Sequence, residues 1–302
     1  MEDVHQMRVF AAVAENLSFT RAADVLFLTQ SAVSHQVAKL EQSLGVQLFD
    51  REGRKVQLTP AGRVMLQQAR RIFATLDDAT AAVQAAARPD SGRLRIGAST
   101  TACQYLIPEA LREFRESFPA YSLFISPGDS PQICEKVLDG SLDLGIVIRS
   151  DRQSKLTYHP IFSDELGFLV SPLHAWAKAR RVDRAQLPQQ RMILYSRASG
   201  TFRLVERYFV RMRTELRDWI ELGSMEAIKE LVKLGLGVSI VARWIARQEI
   251  QDGSLAWLRL PGGPVKRNWC VARSPGRALS LAEQTFQSLC ESAGSVLQRD
   301  AG

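Results

Sequence analysis

Met7, Phe10, Ala14 and Leu17 recur every three or four residues, a spacing that sets all four on one face of a first helix. Ser18 is a good N-cap for a short second helix that turns Ala22, Ala23 and Leu26 inward. After a break at Leu28-Thr29, the run Gln30 to Leu44 carries Val33, Val37, Leu40 and Leu44 as one apolar stripe, and Gly45 closes it. Three short helices around a small core are predicted.

The face opposite that third stripe holds Ser31, His35, Ala38, Lys39 and Gln42, all small or hydrogen-bonding and none acidic. A solvated helix normally mixes Glu with Lys. A helix that enters the DNA major groove needs donors, little bulk near its N-terminus and no carboxylate facing phosphate. A plain solvated face fits these residues taken alone; their helix-turn-helix setting favours the groove. Val46 to Thr59 then supplies Leu48 and Phe49 as core anchors, and Arg51-Glu52-Gly53-Arg54-Lys55-Val56 reads as a tight hairpin turn. Arg51, Arg54 and Lys55 there either straddle backbone phosphates or form a charged surface turn. From Pro60 through Ala87, the residues Leu66, Ala69, Phe73, Leu76, Thr80, Val83 and Ala87 alternate by threes and fours, the seam of a helix pair. Arg88-Pro89-Asp90-Ser91-Gly92 breaks that helix as a hinge.

With Leu17-Ser18-Phe19-Thr20-Arg21-Ala22-Ala23, Thr29-Gln30-Ser31-Ala32-Val33-Ser34, Leu40-Glu41, Leu44-Gly45, Leu48-Phe49, Arg51 and Leu58-Thr59-Pro60-Ala61-Gly62, the chain resembles the N-terminal signature of LysR-type transcriptional regulators. The resemblance implies an all-α winged helix-turn-helix over residues 1–59, a linker and dimerisation helix with its hinge over 60–91, and Gln30 and Ser34 beside the face already named. It also implies double-stranded promoter DNA as partner and self-association as homodimer or homotetramer. Ser31 stands where the family very often has proline, and serine can cap that turn instead.

Residues 92–302 alternate strand and helix signals, the arithmetic of an α/β fold with parallel sheets. Strands are predicted at Leu94 to Gly97, Ser122 to Ser126, Leu142 to Ile148, Gly167 to Val170, Met192 to Tyr195, Trp219 to Leu222, Val238 to Val241 and near Trp269 to Ala272. Helices are predicted at Ala102 to Phe118, around Ile133 to Leu138, at Thr201 to Leu216, Ser224 to Leu234 and Trp244 to Ile250, and through Phe286 and Leu289.

Small hydroxyl or glycine residues gather at the strand-to-helix junctions: Ser99-Thr100-Thr101, Gly128-Asp129-Ser130, Ser199-Gly200-Thr201 and Gly223-Ser224-Met225-Glu226. One such junction is an ordinary N-cap. Four, which two sheets can aim at a shared cleft, favour a small anionic ligand held by helix N-termini. Arg149 and Arg197 are the cations expected to pair with it, against the plainer reading of surface arginines. Ile96-Gly97-Ala98-Ser99-Thr100-Thr101, Ser199-Gly200-Thr201-Phe202-Arg203 and Gly235-Leu236-Gly237-Val238-Ser239-Ile240 look most like the family branch regulating sulfur and carbon assimilation. The resemblance implies an effector-binding domain of two subdomains like type 2 periplasmic-binding proteins, about 92–161 with 266–302, and about 162–265.

Composition narrows the alternatives. A chain of 302 residues implies two or three compact units, and 46% hydrophobic with 24% charged residues excludes disordered and collagenous chains. No run approaches the ~20 apolar residues of a membrane helix, and the acidic start lacks a secretory pattern, so the cytoplasm is expected. Residues 1–90 carry as many acidic as basic side chains, so the net charge of +7 resides in 91–302. DNA contact by the first segment must come from a local cluster. Cys103, Cys134, Cys270 and Cys290 form no C-x-x-C pair, and neither metal nor cofactor is expected. No nucleophile triad or phosphate loop suggests an enzyme. Two alternatives stay open: a redox-sensing regulator built on Cys103, with Cys134 as its partner, and a small-molecule binding protein that does not touch DNA.

Overall fold

The computed structural model describes residues 3–50, 56–87, 91–149 and 155–299. The chain divides into two compact units, the first comprising residues 1–87 and the second almost all of the rest.

The first unit contains α1 (Val4–Asn16), α2 (Phe19–Leu26), α3 (Gln30–Leu44), β1 (Phe49–Asp50), β2 (Gln57–Leu58) and α4 (Pro60–Ala87). Each short helix starts at a capping side chain: Asp3 accepts from His5 N, Ser18 from Arg21 N and Thr29 from Ala32 N. The α3 cap is therefore Thr29, and Ser31 instead hydrogen-bonds the Thr29 hydroxyl at 3.0 Å. Val9, Phe10, Val13, Ala22, Val33, Val37, Leu40, Leu48 and Phe49 make one buried core. Leu17, expected on the buried face, is 60% exposed, because it leaves α1 at φ +48° and the chain turns there. β1 and β2 pair antiparallel, Phe49 opposite Leu58. Along α4, Ala69 is buried and Leu66 and Phe73 are half-buried, whereas Leu76, Thr80 and Val83 stay exposed.

The second unit is a mixed rather than parallel structure. β3 (Ser91–Ala98) lies parallel to both β4 (Ala120–Pro127) and β5 (Leu144–Ile148). Two long strands then run antiparallel to each other, β6 (Thr157–Val170) and β11 (Val265–Arg273). β11 continues onto β5, while the far end of β6 takes β9 (Ser239–Ala242) and β10 (Ala256–Arg259). A parallel pair, β7 (Met192–Tyr195) and β8 (Trp219–Leu222), joins β9 through a bridge at Met192 and Val238. The residue-162 boundary expected between subdomains thus falls inside one continuous strand, β6. Ser91 and Gly92, expected in a hinge, belong to β3; residues 88–90 lie outside the described chain.

The helices of this unit are α5 (Thr100–Tyr105), α6 (Ile107–Ser117), α7 (Ser130–Leu138), α8 (Ala175–Ala179), α9 (Gly200–Met212), α10 (Met225–Lys233), α11 (Arg247–Gln251) and α12 (Leu281–Arg299), with short 3-10 turns at Arg184–Gln189 and Arg243–Ala246. The single helix expected over Ala102 to Phe118 is two, because Pro108 opens α6 and cannot donate into the preceding turn.

One buried carboxylate ties the first unit together. Glu41, on α3, accepts the Leu48 and Phe49 backbone N–H groups at 2.7 and 3.2 Å and so fixes the entry of the strand pair. Glu41→Ala leaves two buried amides unsatisfied, at about 1–3 kcal/mol each. All five tryptophans lie in the second unit, between Trp176 and Trp269. In urea, the variant is expected to lose helical circular dichroism earlier while the indole fluorescence midpoint holds still; an unchanged dichroism midpoint contradicts the assignment.

Candidate functional site

The first candidate surface is the outer face of α3. Val33, Val37 and Leu40 are fully buried, which turns Gln30, Ser31, His35, Ala38, Lys39 and Gln42 outward, with Ser34 half-buried. Gln30 Nε2 donates to the Ser34 hydroxyl at 3.2 Å, ordering the first turn. No carboxylate interrupts this row: Glu41 is turned into the core. Arg51, Arg54 and Lys55 lie outside the described residues.

The second is a cleft in the second unit enclosing about 680 Å³ of empty space, its mouth included. Strand ends and helix starts meet there, the position that open α/β sheets offer to ligands. Ser99, Thr100 and Thr101 line it from the start of α5, Asp129 and Ser130 from α7, Ser199 and Thr201 from α9, and Met225 from α10. Ser99, Ser199 and Ser130 already accept backbone N–H groups, from Ala102, Phe202 and Ile148. Their hydroxyl protons are left to donate.

Three sequence-predicted residues stand outside the lining. Arg197 is exposed with its guanidinium 4.3 Å over the Trp219 ring, a cation–π contact that holds it to β8. Arg149 is likewise exposed, 5.8 Å over the Tyr158 ring. Ser224 caps α10 through Ala227 N, one residue before the lining begins at Met225.

The cation that does line the cleft is Arg267, which sequence reasoning missed. It is 3% exposed and sits directly across β6/β11 from Asp164, which is fully buried. Arg267 Nε donates to Asp164 Oδ1 at 2.8 Å, one Nη to Asp164 Oδ2 and the other to Thr201 Oγ1 at 2.9 Å. Trp244 and Trp269 indole N–H groups add bonds of 2.8 and 3.0 Å to Asp164 Oδ2. A guanidinium has five N–H donors, so one N–H on each terminal nitrogen is not taken by these bonds. The signal was there: in Val265-Lys266-Arg267-Asn268-Trp269 the period of two places Arg267 on the apolar face. Starting the strand at Trp269 hid it.

The four thiols are free. Burial pushes the Cys103, Cys134 and Cys270 thiols above their ordinary value, and Cys290 further still. That is the reverse of the lowered pKa that makes a cysteine reactive, and Cys103 lies outside the cleft lining. Among the described residues no cluster could hold a metal ion, and no helix is long and apolar enough to cross a membrane.

Behind the cleft, α5 and α10 are joined. Tyr105 Oη donates to Glu226 Oε1 at 2.6 Å, its ring meets Trp244 edge-on at 5.6 Å, and Lys229 Nζ bridges Glu226 and Glu249 at 3.0 and 2.8 Å. Burial, then the bond to Glu226, pushes the Tyr105 hydroxyl up to about 12. The folded state therefore holds this proton more tightly than the unfolded chain, whose tyrosine titrates near 10. Its contribution to stability is complete below pH 10 and is lost as pH rises towards 12. Tyr105→Phe is expected to make the urea midpoint fall less steeply between pH 10 and 12; an identical slope contradicts this.

Comparison with known proteins gives a family for each part of the chain. Residues 4–63 match the family described as bacterial regulatory helix-turn-helix protein, lysR family, and residues 87–295 match the LysR substrate binding domain. The HTH-type transcriptional activator CmpR of Synechocystis sp. is 32% identical over 94% of this chain and 93% of its own. A probable RuBisCO transcriptional regulator of Chlorokybus atmophyticus is 32% identical over 95% and 93%. Among solved structures, full-length CbnR complexed with its target DNA shares the fold, with a TM-score of 0.65 at 22% identity over 96% of this chain and 99% of that one. A helix-turn-helix with an uninterrupted non-acidic face, followed by an α/β unit with a cleft where strand ends and helix starts meet, thus comes with a matching family for each part: the chain belongs to the LysR family of transcriptional regulators.

Proposed function

We propose that the chain reads promoter DNA through α3 and that a small anionic effector in the cleft modulates its activity. The observation that supports the anion is Arg267: a buried guanidinium with N–H groups to spare, beside the starts of α7 and α9. Ser99, Thr100, Thr101, Ser130, Ser199 and Thr201 supply the hydroxyls around it. Gln30, Ser31, Ser34, His35, Lys39 and Gln42 carry the DNA face, with Arg51, Arg54 and Lys55 beside it on phosphates. In this reading residues 1–59 bind DNA, 60–91 link and dimerise, and 92–302 bind the effector. The exposed Leu76 and Val83 of α4 suit a second copy of the chain. The protein works in the cytoplasm as a regulator without catalytic activity, and the RuBisCO regulators among its relatives make carbon-assimilation promoters the first to try.

Labelled DNA from the chain's own upstream region tests the DNA face. His35→Ala or Gln42→Ala is expected to lose about 1–3 kcal/mol of discrimination at a single base position. Arg51→Ala or Arg54→Ala should weaken every sequence alike and reduce the salt slope by about 1. Equal, sequence-independent losses in all four folded variants contradict these roles.

The cleft is tested by thermal unfolding of the full chain against sulfate, sulfite, thiosulfate, phosphate, O-acetylserine and sugar phosphates. A ligand at a hundred times its Kd stabilises by about 2.7 kcal/mol, a shift of a few degrees. Thr201→Val or Thr100→Val should abolish that shift. A flat panel removes these anions as effectors and leaves the DNA reading standing.

A further inference from the structure

The cleft that receives the anion also presents an acid. Asp129 lines it from the position just before α7, where an aspartate normally caps the helix by accepting a backbone N–H. Ser99, Ser199 and Ser224 each do this at the start of their own helices. Asp129 does not: its backbone N–H donates to Gln132 Oε1, and among the described residues its carboxylate accepts no hydrogen bond. Partial burial raises its pKa, an effect that the charge of Arg203 on α9 only partly offsets. Asp129 is half-buried at the cleft wall, where water can serve its carboxylate; an occupant that displaces that water leaves the carboxylate without a donor unless it brings one.

The charge balance sharpens the point. Arg267 is neutralised by Asp164, so the guanidinium offers directed N–H groups with no net charge behind them. A bare anion would gain those bonds while displacing water from the Asp129 carboxylate, whose charge Arg203 offsets only in part. An anion that also carries a donor satisfies both ends.

We infer that the effector bears, beside its anionic group, a hydroxyl or ammonium group that hydrogen-bonds Asp129, making Asp129 a specificity-determining residue. This rests on the anionic reading of the cleft. It specifies a class: hydroxylated acids, hydroxylated phosphate esters or amino acids, rather than donor-free carboxylates, phosphates or sulfur oxyanions.

The test compares matched pairs on the full-length protein at constant ionic strength, by thermal shift and titration calorimetry. 3-Phosphoglycerate against 3-phosphooxypropionate isolates the hydroxyl, and O-acetylserine against 3-acetoxypropionate isolates the ammonium. At least one donor-bearing member is expected to bind tenfold or more tighter than its donor-free partner. Asp129→Ala should erase that preference without lowering the unfolding midpoint of the free protein, while Asp129→Asn should retain it for the hydroxyl and lose it for the ammonium. Donor-free members binding as tightly as their partners, or a preference that survives Asp129→Ala, overturns the inference and leaves the anionic cleft intact. A panel in which nothing binds overturns both.

Discussion

The second unit is organised around the Asp164 carboxylate. A fully buried carboxylate costs several kcal/mol of lost hydration unless its lone pairs are filled. Here two guanidinium N–H groups and two indole N–H groups fill them. The donors come from β11 and from the 3-10 turn after β9, so meeting the needs of one oxygen pair fixes three segments at once. Register follows from the same requirement. A slip of one residue between β6 and β11 would bring Lys266 or Asn268 opposite Asp164 and turn Arg267 and Trp269 to the other face. Because β6 also carries β9 and β10, and β11 carries β5, this pairing sets how the strands of the whole unit follow one another.

The cleft inherits its geometry from that constraint. Arg267 reaches Thr201 only because Asp164 holds its other edge, and Thr201 opens α9. On the other side, Trp244 donates to Asp164 and packs edge-on against Tyr105, whose hydroxyl reaches Glu226 on α10. A contiguous set of contacts therefore runs from α9 through the ion pair to α5 and α10, three of the helices whose first turns line the cleft. Moving any one of these helices against the others must stretch a charge-assisted hydrogen bond, which is worth about 1.5–3 kcal/mol where buried.

Most of this architecture was legible in the sequence because local signals and tertiary demands agreed. The α3 stripe, the Ser18 cap and the Gly45 terminus each follow from short-range rules, and four strand-to-helix junctions announced where helix starts gather. Failures occurred where tertiary context outweighed the local signal. Leu17 has the right spacing for the core but leaves the helix in a left-handed turn. Arg149 and Arg197 sit beside the right junctions, yet the aromatic rings of Tyr158 and Trp219 hold them aside. Arg267 and Asp164 are 103 residues apart, and nothing near either one reveals the other. The antiparallel course of β6 and β11 was hidden for the same reason, since a strand's direction depends on a partner that its own residues do not name.

The two surfaces handle charge in opposite ways, and this follows from how each is built. On α3 the polar row is exposed to solvent, so any contact it makes with a phosphate backbone weakens with salt as counterions return. In the cleft the one buried cation is already matched by a buried anion, so a ligand gains hydrogen bonds of fixed direction and little long-range attraction. Charges within a buried site are also poorly reached by mobile ions. Effector recognition on this arrangement depends on where donors and acceptors stand, and DNA affinity on how many phosphates are neutralised. Ionic strength can therefore shift the second strongly while leaving the first almost unchanged, which lets one polypeptide sense a small molecule with constant selectivity while its grip on DNA follows the salt around it.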